Sequence, residues 1–315
     1  MSSTTAGKIP KRSKERKLML LKDNLELYIL MFPALFVILV YCYIPMFGYV
    51  IAFQDYTAGA GFWGANTKWV LFKHFLRFYN SVYFGRLMSN TLWLSFLNLA
   101  WGFWVPIVFA LLLNEVVHTG YKKMIQTASY LPYFISMVTM CGMLISFLTT
   151  NGLINKMIVA FGGTAKPWRN LPKSFPTIYV LANIWKHFGF NSILYISVIT
   201  SVDTSLYESA RLDGANRFQQ AIYITIPSIL PTIAIMLIMA VGSLLSANTD
   251  MILLLYVPAT YEVADVLGTF IYREGILGGK FSYTTAIGLI QSVINFLLVV
   301  ITNAISDKLT GAGLF

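Results

Sequence analysis

Six stretches of this chain run for more than twenty residues with almost no charge, and that pattern decides which solvent it can fold in. They are Leu27–Phe53, Leu87–Asn114, Ile125–Phe147, Thr177–Val202, Ile226–Asn248 and Phe281–Ser306. A helix needs roughly 20 apolar residues to cross the hydrocarbon of a bilayer, so each is long enough to span. Only the fourth is interrupted, by Lys186 and His187. The apolar piece Met251–Tyr261 is too short to span and is broken by Pro258, which predicts a loop or a re-entrant segment. Composition agrees: 57% of the residues are hydrophobic and 11% charged, against about 25% charged in a soluble domain. Disorder is excluded by the amount of apolar surface available to bury. The expected fold class is an all-α integral membrane protein with six spans.

The first run has a basic flank like a signal peptide, but it is too long and lacks an A-x-A-like cleavage site, so it reads as a permanent span. Pro33 and Pro45 are tolerable there because neighbouring helices can satisfy the freed carbonyls. The net charge of +10 comes with basic residues crowded at the N-terminus and at the ends of runs. That placement favours anionic lipid and argues against nucleic acid. Lys8, Lys11, Arg12, Lys14, Arg16, Lys17 and Lys22 precede the first span, and a basic tail there predicts that both termini are cytoplasmic. The domain plan is a cytoplasmic tail at 1–26, a six-span membrane domain at 27–306 with a cytoplasmic loop at 203–225, and a second cytoplasmic tail at 307–315. Cys42 and Cys141 sit inside apolar runs and read as small hydrophobes, with neither a disulfide nor a metal site implied. Aromatic residues in the outer loops (Phe62, Trp63, Trp69, Phe72, Trp168) suit an interface belt or a docking surface for an external partner.

The loop between spans four and five carries the strongest signal. It reads Asp203-Thr204-Ser205-Leu206-Tyr207-Glu208-Ser209-Ala210-Arg211-Leu212-Asp213-Gly214-Ala215-Asn216-Arg217-Phe218, followed by Ile224-Thr225-Ile226-Pro227. This predicts two short helices around a glycine turn. Thr204 or Ser205 caps the first, Glu208 lies near its N-terminal turn, and Gly214 supplies the break. Pro227 helps to set the start of span five, and Leu206, Ala210, Phe218 and Ile222 leave one side apolar, suited to a groove on another protein.

The spacing of Glu208-Ser209-Ala210, three residues, Gly214, nine residues and Ile224-x-Ile226-Pro227 resembles the EAA motif of permease subunits in binding-protein-dependent ABC importers. Ser209 stands where that pattern has Ala and Ile226 where it has Leu. Phe32-Pro33-Ala34, Tyr43-Ile44-Pro45, Tyr130-Leu131-Pro132-Tyr133-Phe134-Ile135-Ser136 and the Tyr207-Glu208 start of the motif are similar to the maltose-type sugar-permease branch, in particular its lipoprotein or complex-polysaccharide subset. The resemblance implies a type I importer fold of six helices in a bacterial cell membrane. It implies a second homologous permease, two ATPase subunits inside and a solute-binding lipoprotein outside as partners. It also implies that Glu208, Ser209, Ala210, Asp213 and Gly214 couple the chain to the ATPases. No cofactor is expected on this chain, ATP and Mg being bound by the partner ATPase: there is no phosphate loop, since Gly278-Gly279-Lys280 ends in Phe281.

Polar residues inside spans are functional candidates by default. Asn183, Lys186, His187 and Asn191 fall within span four, with His187 and Asn191 sharing a face. On one reading they line the substrate path, and Lys186 then suits an acidic oligosaccharide such as a uronate-containing fragment. On the other, Lys186 lies in a bend, snorkels outward or pairs with an acid of a neighbouring subunit. Gln291 and Asn295 in span six read as bonding between helices, and Trp101 and Trp104 either stack on sugar or face lipid. The function expected is the permease subunit of a carbohydrate ABC importer. A secondary transporter, an ABC permease for a non-sugar solute, and a membrane enzyme are the alternatives. A secondary transporter would use buried ion-coupling acids, and all 13 acids fall outside the six runs; no catalytic cluster supports an enzyme. Reporter fusions at residues 118 and 213 and at the C-terminus should report cytoplasm, and fusions near 68, 165 and 272 the exterior. An exterior signal at 213 would overturn this topology.

Overall fold

The computed structural model describes residues 24–57, 59, 61, 62, 67–311 and 313. The basic tail residues Lys8 to Lys22 and Trp63 lie outside the described residues. The chain divides after Ile51 into two units. The first is one helical run, α1 (Leu25–Phe53), whose last two residues belong to the second unit. It widens to a π turn over Leu39–Tyr43, just before Pro45. A proline offers no N–H to the carbonyl four residues back and its ring crowds that carbonyl, so a wide turn ahead of it relieves both.

The second unit opens with a short antiparallel pair, β1 (Gln54–Asp55) and β2 (Lys68–Trp69), with Gln54 opposite Trp69 and Asp55 opposite Lys68. Helix α2 (Lys73–Tyr79) follows, then α3 (Phe84–Asn114), broken at Phe103, where Pro106 crowds the carbonyl of Gly102. The third run is not one span. It is split into α4 (Thr119–Phe134) and α5 (Met137–Leu148), with Ile135 and Ser136 extended between them. The reason is local: Ser136 Oγ accepts the N–H of Thr139 at 3.1 Å and caps α5, an alternative to continuing the helix. Helix α6 (Leu153–Ala160) completes an apolar segment, Met137–Ala160, long enough to span.

Helix α7 (Phe175–Thr200) has 26 residues, a length of about 39 Å at 1.5 Å per residue. It is less apolar than the five other helical segments that are long enough to cross a membrane, because it carries Asn183, Lys186, His187 and Asn191. After α8 (Thr204–Leu212), the fifth span α9 (Arg217–Gly242) starts nine residues earlier than expected and ends six residues earlier. Pro227 does not mark its start; a π turn over Ala221–Thr225 lets the helix run through the proline. The segment expected as a loop or re-entrant piece holds a short helix, α10 (Thr249–Leu255), in which Met251 and Ile252 are fully buried. Helix α11 (Leu267–Ile271) leads into a wide turn, and α12 (Phe281–Thr310) runs past Ser306 into residues assigned to the tail. It ends on Gly311 at φ 65°, the left-handed conformation a glycine adopts without cost.

Three apolar clusters hold this unit together. One packs α10 against Leu94, Met140, Phe175 and Tyr179; one joins Phe78 of α2 to Leu87, Phe270, Tyr283 and Ile287; one sets Ile107 and Ala110 against Tyr195, Ile199 and Ile229. Polar side chains add the links expected in span six: Gln291 Nε2 donates to the Leu245 carbonyl at 2.9 Å, and Asn295 Oδ1 accepts the Leu245 N–H at 3.1 Å. At one tight crossing, a methyl group on Gly189 of α7 would overlap the carbonyl oxygen of Ser129 of α4. Gly189→Ala should therefore cost about 1–3 kcal/mol by overpacking and lower the thermal midpoint of the purified protein in detergent. Gly288→Ala, with open space around it, should leave the midpoint unchanged. Equal midpoints for both variants would sink the claim.

Candidate functional site

Helices α3, α7 and α9 and the turn 243–248 line a cavity of about 490 Å³. From α7 it takes Tyr179, Asn183, His187, Asn191 and Tyr195, a stripe at intervals of four residues on one face. Across from them lie Ser95 and Asn98 of α3, Met236 and Met239 of α9, and Ser243, Ser246 and Asn248. The break in α3 contributes Gly102, Phe103 and Pro106. No lining residue is Asp, Glu, Lys or Arg.

The amides are held in a chain. Asn183 Nδ2 donates to Asn98 Oδ1 at 2.5 Å, and Asn183 Oδ1 accepts from Asn248 Nδ2 at 3.2 Å. The Asn248 N–H donates to the Tyr179 hydroxyl at 3.0 Å, while its Oδ1 caps α10. His187 Nδ1 lies 2.9 Å from the carbonyl oxygen of Asn183. A carbonyl only accepts, so Nδ1 carries the proton and Nε2 keeps its lone pair. Ser95 Oγ is buried with no hydrogen-bond partner, a demand that a ligand hydroxyl would meet. The cavity is thus a neutral lattice of amides, hydroxyls and one imidazole.

Three of the four predicted path residues, Asn183, His187 and Asn191, come together here. Lys186 does not. Its side chain is buried on another face of α7, and its ammonium donates to the carbonyls of Pro132 (3.5 Å), Tyr133 (3.2 Å) and Ile135 at the end of α4. It neither lines the cavity nor snorkels outward, and its bonds within the chain are to carbonyls rather than to an acid. The carbonyls of a helix end carry partial negative charge and lack helical donors, which is what an ammonium needs. Sequence reasoning missed Ser95, Asn98, Tyr179 and Asn248. Asn98, a bare amide in an uncharged run, was the available signal; Tyr179 hid among the aromatics.

The loop after α7 forms an exposed elbow. Gly214 has φ 82° and turns α8 toward α9, as the glycine spacing predicts. The cap is Asp203, whose carboxylate accepts the Ser205 N–H at 2.9 Å, in place of Thr204 or Ser205. That bond holds the Asp203 carboxyl below its ordinary pKa. Glu208 lies beyond the first turn of α8. Glu208, Ser209, Asp213 and Gly214 are exposed and Ala210 is half-buried. Leu206, Leu212, Phe218 and Tyr223 add an apolar surface around them, Leu212 being 90% exposed. Arg217 pairs with Glu115 at 3.2 Å, so this loop and the 114–123 loop meet at one end of the bundle. Ahead of α7, Arg169 donates to the carbonyls of Leu254 and Leu255 at the end of α10.

Residues 102–311 match the family model described as the binding-protein-dependent transport system inner membrane component. The chain belongs to this family. The permease is 39% identical over 306 residues, 97% of its length and 95% of the other's, to the polygalacturonan/rhamnogalacturonan transport system permease protein YteP of Bacillus subtilis. It is 38% identical to protein LplB of the same organism over 94% of its own length and 92% of LplB. A chain in the crystal structure of a bacterial alginate ABC transporter, in complex with an alginate pentasaccharide-bound periplasmic protein, superposes with a TM-score of 0.87. That chain is 39% identical and is matched over its whole length, covering 95% of the permease. The type I importer fold follows, and the family stretch contains the elbow and most of the cavity lining, with Ser95 and Asn98 just ahead of it.

The relocation of Lys186 has a measurable consequence. Lys186→Met strips the donor from buried carbonyls at the end of α4, a loss of about 1–3 kcal/mol. The thermal midpoint of the detergent-purified permease should fall, with partial recovery in Lys186→Arg. A midpoint equal to wild type, with uptake of acidic sugar selectively lost, would return Lys186 to the path.

Proposed function

We propose that this permease forms, with a second homologous permease, the membrane path of an ATP-driven importer for acidic oligosaccharides. Two separate ATPase subunits bind ATP and Mg on the cytoplasmic side, where both termini lie, and an extracellular lipoprotein delivers the solute. The observation that carries the reading is the neutral, amide-lined cavity in a helix bundle whose other feature is an exposed, partly apolar elbow. Amides and hydroxyls bond sugar hydroxyls in either direction. Their N–H groups also bond carboxylates without adding a fixed charge. A path must bind its solute loosely enough to release it, and a lysine facing the cavity would trap a chain bearing one carboxylate per sugar. Selection for acid then falls to the binding protein. The names of the relatives support the acidic class, since one transports polygalacturonan and rhamnogalacturonan and another imports what is called the acidic polysaccharide alginate.

In this mechanism the ATPases close on ATP and grip the elbow, with Glu208, Ser209, Ala210, Asp213 and Gly214 at the contact. Because only the three residues 201–203 separate α8 from α7, displacement of the elbow moves the stripe Asn183, His187 and Asn191 relative to α3 and α9. The cavity then changes the side to which it opens. In proteoliposomes of the whole complex, galacturonate trisaccharide should be imported and a neutral glucose trisaccharide should not. Glu208→Lys and Gly214→Pro should leave the complex assembled while import per ATP falls at least tenfold. Import of both sugars alike would refute the acidic class, and unchanged import per ATP in both variants would refute the coupling role.

A further inference from the structure

The elbow touches the bundle through two side chains to which the motif assigns no role. Tyr207 of α8 places its hydroxyl 2.9 Å from Thr225 Oγ1. Thr225 is 3% exposed and is the last residue of the π turn Ala221–Thr225 in α9. Its own hydroxyl lies 3.4 Å from the carbonyl of Gln220. A carbonyl has no proton to give, so Thr225 donates to Gln220 and Tyr207 donates to Thr225. Gln220, also buried, donates through Nε2 to the carbonyl of Ala215 in the turn. The chain Tyr207, Thr225, Gln220 therefore runs from the elbow helix into the one place where α9 departs from regular winding.

We infer that Tyr207 is a positioning residue that clasps α8 to the wide turn of α9, so that displacement of the elbow is passed to the cavity through α9 as well as α7. This inference rests on the coupling role proposed for the elbow. The wide turn exists because Pro227 withholds an N–H and crowds the carbonyl of Tyr223. Such a turn lacks the stiffness of the regular ladder and is a natural pivot. Beyond it the helix runs on through Pro231 to Gly242, and Met236, Met239 and Ala240 of that stretch line the cavity. Thr225 and Met236 are eleven residues apart, about 16 Å along the axis. A pivot at the near end swings those side chains at the far end. Without the clasp, α8 remains tied to α9 through the turn 213–216, whose backbone can flex around Gly214. Motion of the elbow would then be taken up there and lost.

The test is import per ATP hydrolysed by the complete complex in proteoliposomes, for Tyr207→Phe, Thr225→Val, the double variant and Thr225→Ser. Tyr207→Phe removes the clasp bond alone, Thr225→Val removes it together with the bond to the Gln220 carbonyl, and both keep the side-chain volume. The expected result is an import-per-ATP ratio reduced about fivefold, the scale of one neutral hydrogen bond, with ATP hydrolysis and assembly retained. The double variant should be no worse than either single one, and Thr225→Ser should restore the ratio. If Tyr207→Phe does not assemble, Thr225→Val carries the test, and loss of assembly in both overturns the inference by making the pair purely structural. Glu208→Lys is measured alongside. If it uncouples while Tyr207→Phe and Thr225→Val do not, the clasp is wrong and the elbow's role stands. If Glu208→Lys keeps the wild-type ratio, the coupling reading itself fails.

Discussion

The ammonium of Lys186 at the broken end of α4 is the contact on which the arrangement of this bundle turns. A helix interrupted within a membrane leaves carbonyls with no water to serve them, at a cost of several kcal/mol each. Here the interruption at Ile135 and Ser136 is served by three N–H donors on one side chain. The positive charge is in turn stabilised by the negative end of α4. Mutual satisfaction locks α7 against α4 at that depth, and Gly189 and the stacked rings of Tyr133 and Phe190, 3.8 Å between centroids, complete the contact. Residues on a helix advance by about 100° each. Fixing Lys186 toward α4 therefore carries His187 and Asn191 about 100° and 140° round the helix, into the cavity beside α3 and α9. The neutral cavity is the other face of this cationic contact.

The same device recurs at smaller scale. Arg169 serves the carbonyls that end α10, so a second helix end is finished by a basic side chain from a distant segment. Asp265 shows the inverse arrangement: a fully buried carboxylate held by Arg273 through two bonds of 2.8 and 3.0 Å, by Arg86 at 3.3 Å and by Thr269. These groups join the start of α3 to the wide turn after α11. Removing one partner from a buried ion pair costs about 3–5 kcal/mol because the other is left uncompensated. A bundle with apolar exteriors on its helices gains little from hydrophobic segregation in lipid. Specific polar contacts of this kind therefore carry more of the burden of fixing which faces meet.

Much of this was legible in the residues. The uncharged runs gave the helices of the bundle, because the bilayer imposes a length on them. The glycine at 214 gave the elbow, because a left-handed turn admits few other residues. The pairing of Gln291 and Asn295 with another element followed from the cost of a bare amide in lipid. The errors share one cause. The third run was read as a continuous span and Pro227 as a helix start, since an apolar run does not say whether its backbone is broken or widened. The break is capped locally by Ser136 and served from another helix by Lys186, while the wide turn answers Pro227 within α9 itself.

What the sequence alone determined is the solvent, the number and approximate position of the apolar runs, the elbow and the family. All of these depend on local composition or on spacing within a few turns. The tertiary structure decided the rotation of each helix about its axis, and with it the fate of every polar residue in the spans. Lys186 and His187 are neighbours in the chain and equally plausible as path residues. One closes a helix end and the other faces the cavity, because adjacent side chains on a helix point about 100° apart. That angle is meaningless until the surrounding helices are in place.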